Sequence, residues 1–263
     1  MRNKNGSFRV MFMLVLVLVL AASPASVSAD HAWGNYHWAR TSNPFTLRLG
    51  DNVSSAWDGY LNEAISDWNP SSVLNLTKVA GSTTGRRCRP SDGRVQVCNA
   101  TYGNTGWLGV AQIWASGDHI TQGTAKMNDT YFNTAQYNTP AWRRLVMCQE
   151  IAHTFGLDHQ DENFNNANLG SCMDYTSDPD GPPTNEHPNA HDFEQLEIIY
   201  AHLDSTSTVG ASIAMPRGFA NADMHAVENW GERLHDSADG HSSLFVRDFG
   251  KDLKVFTFVF WAE

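Results

Sequence analysis

Residues 148–159 read Cys-Gln-Glu-Ile-Ala-His-Thr-Phe-Gly-Leu-Asp-His, and they hold the densest set of reactive side chains in the chain. A helix advances about 100° per residue, so Gln149 and His153 lie about 40° apart on one face, one turn from each other. Glu150 lies about 60° round from His153, beside that face. Gly156 is free to take a positive φ and turn the chain sharply. His159 then returns from the loop toward the same point. Two groups from a helix and one from a loop can hold a metal ion and leave a position for water. Glu150 stands where a base for that water is needed. His153 and His159 would otherwise be ordinary polar residues at a helix end, but the register of Glu150 and Gly156 with them argues for a site.

The skeleton Glu150, His153, Gly156, His159 resembles the signature of the metzincin zinc metallopeptidases, His-Glu-x-x-His-x-x-Gly-x-x-His. This chain departs at the first position, which is Gln149. Ser171-Cys172-Met173-Asp174-Tyr175, with Met173 14 residues beyond His159, resembles the family's Met-turn. The Ser-x-Met-x-Tyr form is similar to the astacin and serralysin branches, whose tyrosine approaches the zinc. The order of upstream elements and the last helix look more like matrixins. The resemblance covers about residues 40–204 and implies a matrixin-like, metzincin-like catalytic domain: a mixed, twisted β-sheet, an active-site helix and a C-terminal helix after the Met-turn. It implies one Zn2+ held by Gln149, His153 and His159, with Glu150 as general base and Tyr175 as a further catalytic donor. It also places Met173 beneath the site. Cys148 points about 140° away from His153, so a Cys148–Cys172 disulfide is expected to tie the helix to that turn.

Gln149 sets the functional question. An amide oxygen is a weaker zinc donor than imidazole but has similar reach. One reading is a secreted zinc endopeptidase that hydrolyses peptide bonds through a metal-activated water, with Glu150 as the base. The other is a catalytically inactive metzincin-like protein that binds peptides or proteins. The retention of Glu150, His153, Gly156, His159 and Met173 favours the enzyme.

The elements that must position these groups follow from periodicity. Phe45–Leu49 alternates and reads as a strand, and Trp57–Trp68 has helical apolar spacing ended by Asn69-Pro70. Val73–Val79, Arg94–Val97, Gly109–Trp114 and a short Ala125–Asn128 are strand candidates. Thr139-Pro140 opens a helix that runs to Phe155. A loop rich in Asn, Asp, Gly and Pro follows, then a helix over Asn189–Leu203. Strands and a helix first, then two helices, predict an α+β domain. After a Ser/Thr-rich break at 205–208, Ser243–Phe249 and Lys254–Trp261 read as a hairpin around Gly250. The expected organisation is a signal peptide at 1–29, the peptidase-like domain at 30–204 and a C-terminal extension at 205–263.

The rest of the sequence limits the partners. The chain has 263 residues, 41% hydrophobic and 17% charged, as a globular protein has. Arg2, Lys4 and Arg9 precede an apolar run from Val10 to Ala22 that is too short to span a bilayer, and Val27-Ser28-Ala29 fits a cleavage site. Cleavage leaves 15 basic against 28 acidic residues. Such a surface repels phosphate backbones and anionic lipid, so a peptide or protein substrate is expected, with no nucleic acid and no membrane contact after cleavage. A monomer in the extracellular space is expected. Export favours disulfides among Cys88, Cys98, Cys148 and Cys172, with three pairings possible and a turn-rich stretch between Cys88 and Cys98 that could bring those two together. His119 is the one remote histidine that could substitute as a ligand. His187, His191, His202, His225, His235 and His241 lack ligand spacing to the motif and read as surface or capping residues.

Overall fold

The computed structural model describes residues 30–262, and the expected signal peptide lies outside them. In chain order the elements are β1 (His37–Trp38), β2 (Phe45–Asn52), α1 (Asp58–Trp68), β3 (Leu74–Ala80), β4 (Val95–Ala100), β5 (Trp107–Ser116) and β6 (His119–Asn128). Then come the single-turn α2 (Asp129–Phe132), α3 (Pro140–His153), α4 (Ala190–Ile199) and the short α5 (Arg217–Ala220). The strands β7 (Glu232–Asp236), β8 (Ser242–Asp248) and β9 (Leu253–Trp261) close the chain. The fold is mixed α and β around one sheet of order β3-β2-β4-β6-β5-β9-β8-β7, with β1 paired to β6. Pairings among β1, β2, β3, β4 and β6 are parallel, and β5 onward is antiparallel.

The expected strands and helices form, with two informative differences. β6 runs ten residues rather than four, because its Thr121, Gln122, Thr124 and Lys126 are buried yet polar and so break any apolar pattern. α4 stops at Ile199, short of Leu203, where Arg40 donates to the carbonyl of Tyr200 at 2.7 Å and to that of His202. These bonds take up carbonyls at the helix end, and the chain leaves the helical path there.

Residues 205–262 add to the main sheet rather than standing apart. β9 pairs antiparallel with β5 from Trp107↔Trp261 to Ser116↔Leu253. One core lies between the sheet and the helices, with Trp38, Trp68, Leu145, Phe155 and Phe258 in it. A second lies on the opposite face of β5 and β9, where Phe219, Met224 and Trp230 cover Trp107, Val110 and Trp114. Both faces of these strands are therefore buried. Disulfides join Cys88 to Cys98 and Cys148 to Cys172, with Cα separations of 5.9 and 6.0 Å. Among the described residues no helix is long and apolar enough to cross a membrane.

The buried Lys126 donates to Gln112 Oε1 at 2.5 Å, and burial pushes its amine down from 10.5 to about 7. Between those values the unfolded chain holds a proton that the folded chain has released. Stability therefore rises with pH from about 7 to about 10, and the cost of burying the charge is fully present below pH 7. The expected span is roughly 3–5 kcal/mol. Thermal unfolding of wild type and Lys126→Met across that range should give curves that diverge by this slope. Parallel curves would show that the amine is neutral throughout or solvated.

Candidate metal centre

α3 carries the helix half of the site. Thr139 caps it by accepting from Trp142 N at 3.3 Å, and Pro140 fills the first position, where a missing N–H costs nothing. Every residue from Ala141 to His153 except Arg144 is buried, so the helix is held on all sides. Past its end Gly156 has φ +110°, and a Cβ there would press on the Tyr36 carbonyl oxygen at 3.0 Å. That turn brings His159 back, and the His153 and His159 rings meet edge to face with centroids 4.6 Å apart.

Gln149, His153 and His159 are each anchored through one polar atom. Gln149 Nε2 donates to the Cys172 carbonyl at 3.1 Å, and its Oε1 is buried without a protein partner. His153 Nδ1 lies 2.8 Å from the Leu157 carbonyl and must donate to it, which leaves the lone pair on Nε2. His159 Nδ1 lies 2.9 Å from Glu162 Oε1, and His159 Nε2 is buried with no partner. This is how ligands are oriented by an outer shell of carbonyls and carboxylates. The Gln149 oxygen and the His159 nitrogen, both without a protein partner, make with His153 Nε2 a donor set that fits a zinc-type ion. Burial, and then His159, push the His153 imidazole well down, which favours the neutral form that metal binding requires.

Glu150 is 1% exposed, and its Oε2 also lacks a partner. It lies against β5 at Gly109, where a Cβ would collide with Glu150 Oε1. Burial pushes its carboxyl well above the usual range. Cys148 faces away from this group and is bonded to Cys172. The 171–175 segment packs alongside, with Gln160 N donating to the Met173 carbonyl at 2.6 Å and Tyr175 N to the Asp161 carbonyl at 3.0 Å. The Tyr175 ring meets His159 edge-on at 4.6 Å, and its hydroxyl donates to the Val259 carbonyl at 3.4 Å.

Several contributors come from residues outside the 148–159 motif. Phe258 of β9 stacks on His153, with centroids 4.3 Å apart and planes 11° from parallel. Glu162 holds His159 through Oε1, which also accepts from Ser242 Oγ at 3.0 Å, while Oε2 pairs with His235 Nε2 at 2.6 Å. Burial would raise the Glu162 carboxyl, but His159 and His235 outweigh it and bring it to about 2. Glu162 was findable three residues after His159. Phe258, Ser242 and His235 were not, because their proximity depends on where β7–β9 dock. His119, the remote candidate, is not at this site: its Nε2 lies 3.3 Å from Asp204 Oδ1.

No protein-family model matches the chain, and no curated protein does. Among solved structures it is similar to high choriolytic enzyme 1, a hatching enzyme zinc-protease from the medaka fish Oryzias latipes. The identity is 12%, over 66% of this chain and 99% of that one, with a TM-score of 0.35. That likeness is too distant to carry an argument about this chain's chemistry.

Proposed function

We propose that the chain is an exported, zinc-dependent endopeptidase, held here in a closed form with its own C-terminal strand over the site. One observation carries the reading. Gln149 Oε1 and His159 Nε2 are left buried and unpartnered by bonds that fix each side chain from its other polar atom, and Glu150 Oε2, on the residue after Gln149, is buried and unpartnered as well. Buried polar atoms without partners are costly unless a ligand completes them.

Gln149, His153 and His159 would hold the ion. Bound there, zinc supplies Lewis acidity toward a water and a scissile carbonyl. Glu150 accepts the water's proton and returns it to the leaving amine. The hydroxyl of Tyr175, released from the Val259 carbonyl, donates toward the charge that develops on the carbonyl oxygen. β5 supplies the edge along which an extended peptide can add as a strand. β9 occupies that edge now, and Phe258 covers His153. A peptide or protein substrate therefore has to take the place of β9, and the working unit is a monomer.

The test combines metal analysis with cleavage of a quenched-fluorescent peptide library by wild type and Phe258→Ala. The ring over His153 is absent from that variant. Bound zinc, with cleavage at least several-fold faster in the variant, supports the closed peptidase. Zinc and peptide bound without cleavage by either protein would give the site a binding role instead. Absence of zinc from both would remove the metal centre.

A further inference from the structure

A second group of donors lies at the Asp204 end of the domain, on elements that the site above does not use. β1 and β6 run side by side with His37 opposite His119. Beyond α4 the chain reads His202-Leu203-Asp204, and an interval of two in extended chain turns both outer side chains to one side. Asp204 N donates to the Arg40 carbonyl at 2.9 Å, which brings this segment against the end of β1. The result is three imidazoles around one carboxylate oxygen. His37 Nε2, His119 Nε2 and His202 Nε2 lie 3.4, 3.3 and 3.7 Å from Asp204 Oδ1. His202 Nε2 and His37 Nε2 are 3.2 Å apart.

These separations have a specific meaning. A charged N–H···O bond to carboxylate closes to about 2.7–2.9 Å, and none of the three does. Ligands at about 2.0–2.1 Å from one ion, placed tetrahedrally, are instead separated by about 3.3–3.4 Å, as His37 Nε2 and His119 Nε2 are from Asp204 Oδ1. The outer shell agrees. His37 Nδ1 is 2.7 Å from the Asn35 carbonyl and donates to it, so Nε2 presents a lone pair. Asp204 Oδ2 is taken by Arg40 N at 3.1 Å and Arg40 Nη1 at 3.0 Å, which leaves Oδ1 for the histidines. His37 Nε2 and Asp204 Oδ1 thus face one another, an arrangement that a shared cation satisfies.

We infer that His37, His119 and Asp204 bind one zinc-type divalent ion, with His202 beside His37 as the side chain that can close onto it. Two imidazoles and one carboxylate are a borderline donor set that selects zinc, cobalt or nickel over calcium and magnesium. Closure of His202 onto the ion would complete a tetrahedron and leave no position for a reacting water, which is the arrangement of a structural ion. It clamps the lead segment, the β5–β6 turn and the chain leaving α4, joining the two ends of residues 37–204.

The experiment compares wild type with His119→Ala/His202→Ala. These are the two more exposed histidines of the cluster, at 39% and 57% side-chain exposure, so their removal spares the core. Zinc per folded chain, checked by circular dichroism, should fall by one in the variant whatever the occupancy of the Gln149 centre. The zinc-dependent rise in Tm should shrink with it. In a His153→Ala/His159→Ala background, cobalt should still bind and give the visible absorption of a tetrahedral site. That signal should weaken at least 100-fold in affinity when His119 and His202 are also replaced. Equal zinc content in wild type and the first variant would overturn the inference, as would cobalt binding that survives all four replacements.

Discussion

Glu150→Gln is expected to lose peptide hydrolysis by roughly 10²–10⁴-fold while keeping its zinc, because an amide cannot accept the water's proton. The substitution is nearly isosteric. Glu150 sits in the space that Gly109 leaves on β5, and Gln fits the same volume. Stability gives an independent check. Burial pushes the Glu150 carboxyl well up, so at pH 8 the folded protein bears the cost of keeping a buried acid either neutral or charged. A neutral amide removes that cost, and Tm of the metal-free variant should equal or exceed that of wild type. Activity is best measured in the Phe258→Ala background, where β9 no longer places a ring on His153. Comparable turnover with and without Glu150 would remove it from the chemistry. A fall in both Tm and zinc content would mean that the carboxylate supports the site rather than acts in it.

Gln149→His is the second large effect. Imidazole is a better donor to zinc than an amide oxygen, so affinity should rise about tenfold or more, which is about 1.4 kcal/mol per tenfold. The anchor can be kept. Gln149 Nε2 now donates to the Cys172 carbonyl at 3.1 Å, and a ring N–H at the same position can replace it while the second nitrogen faces His153. Turnover need not follow affinity, because an outer shell shaped for an amide places a ring differently. Titration belongs in the His119→Ala/His202→Ala background, so that the clamp site does not report. Equal or weaker zinc binding by the histidine variant would mean that position 149 does not face the ion.

The sequence by itself determined the local half of this protein. Thr139-Pro140 at one end and Gly156 at the other set the helix that presents Gln149, Glu150 and His153. Each of those signals acts within one turn of itself, through a cap, a missing donor or a positive φ. The alternation in Phe45–Leu49 and the helical spacing in Trp57–Trp68 are local in the same way, and both elements form where they were expected. The tertiary structure decided the rest. β6 was only partly legible because its polar residues are buried inside the sheet, Lys126 against Gln112 among them, and burial of that kind leaves no apolar pattern along the strand. Nothing between residues 205 and 262 says that β9 lies on β5, since a strand's partner is fixed by long-range register and burial rather than by its own alternation. Phe258 over His153 and Glu162 between His159 and His235 follow from that docking. The sequence offered His119 only as a substitute ligand for the motif and His202 only as a surface residue, because the point they share with His37 exists only where β1, the start of β6 and the end of α4 converge on Asp204.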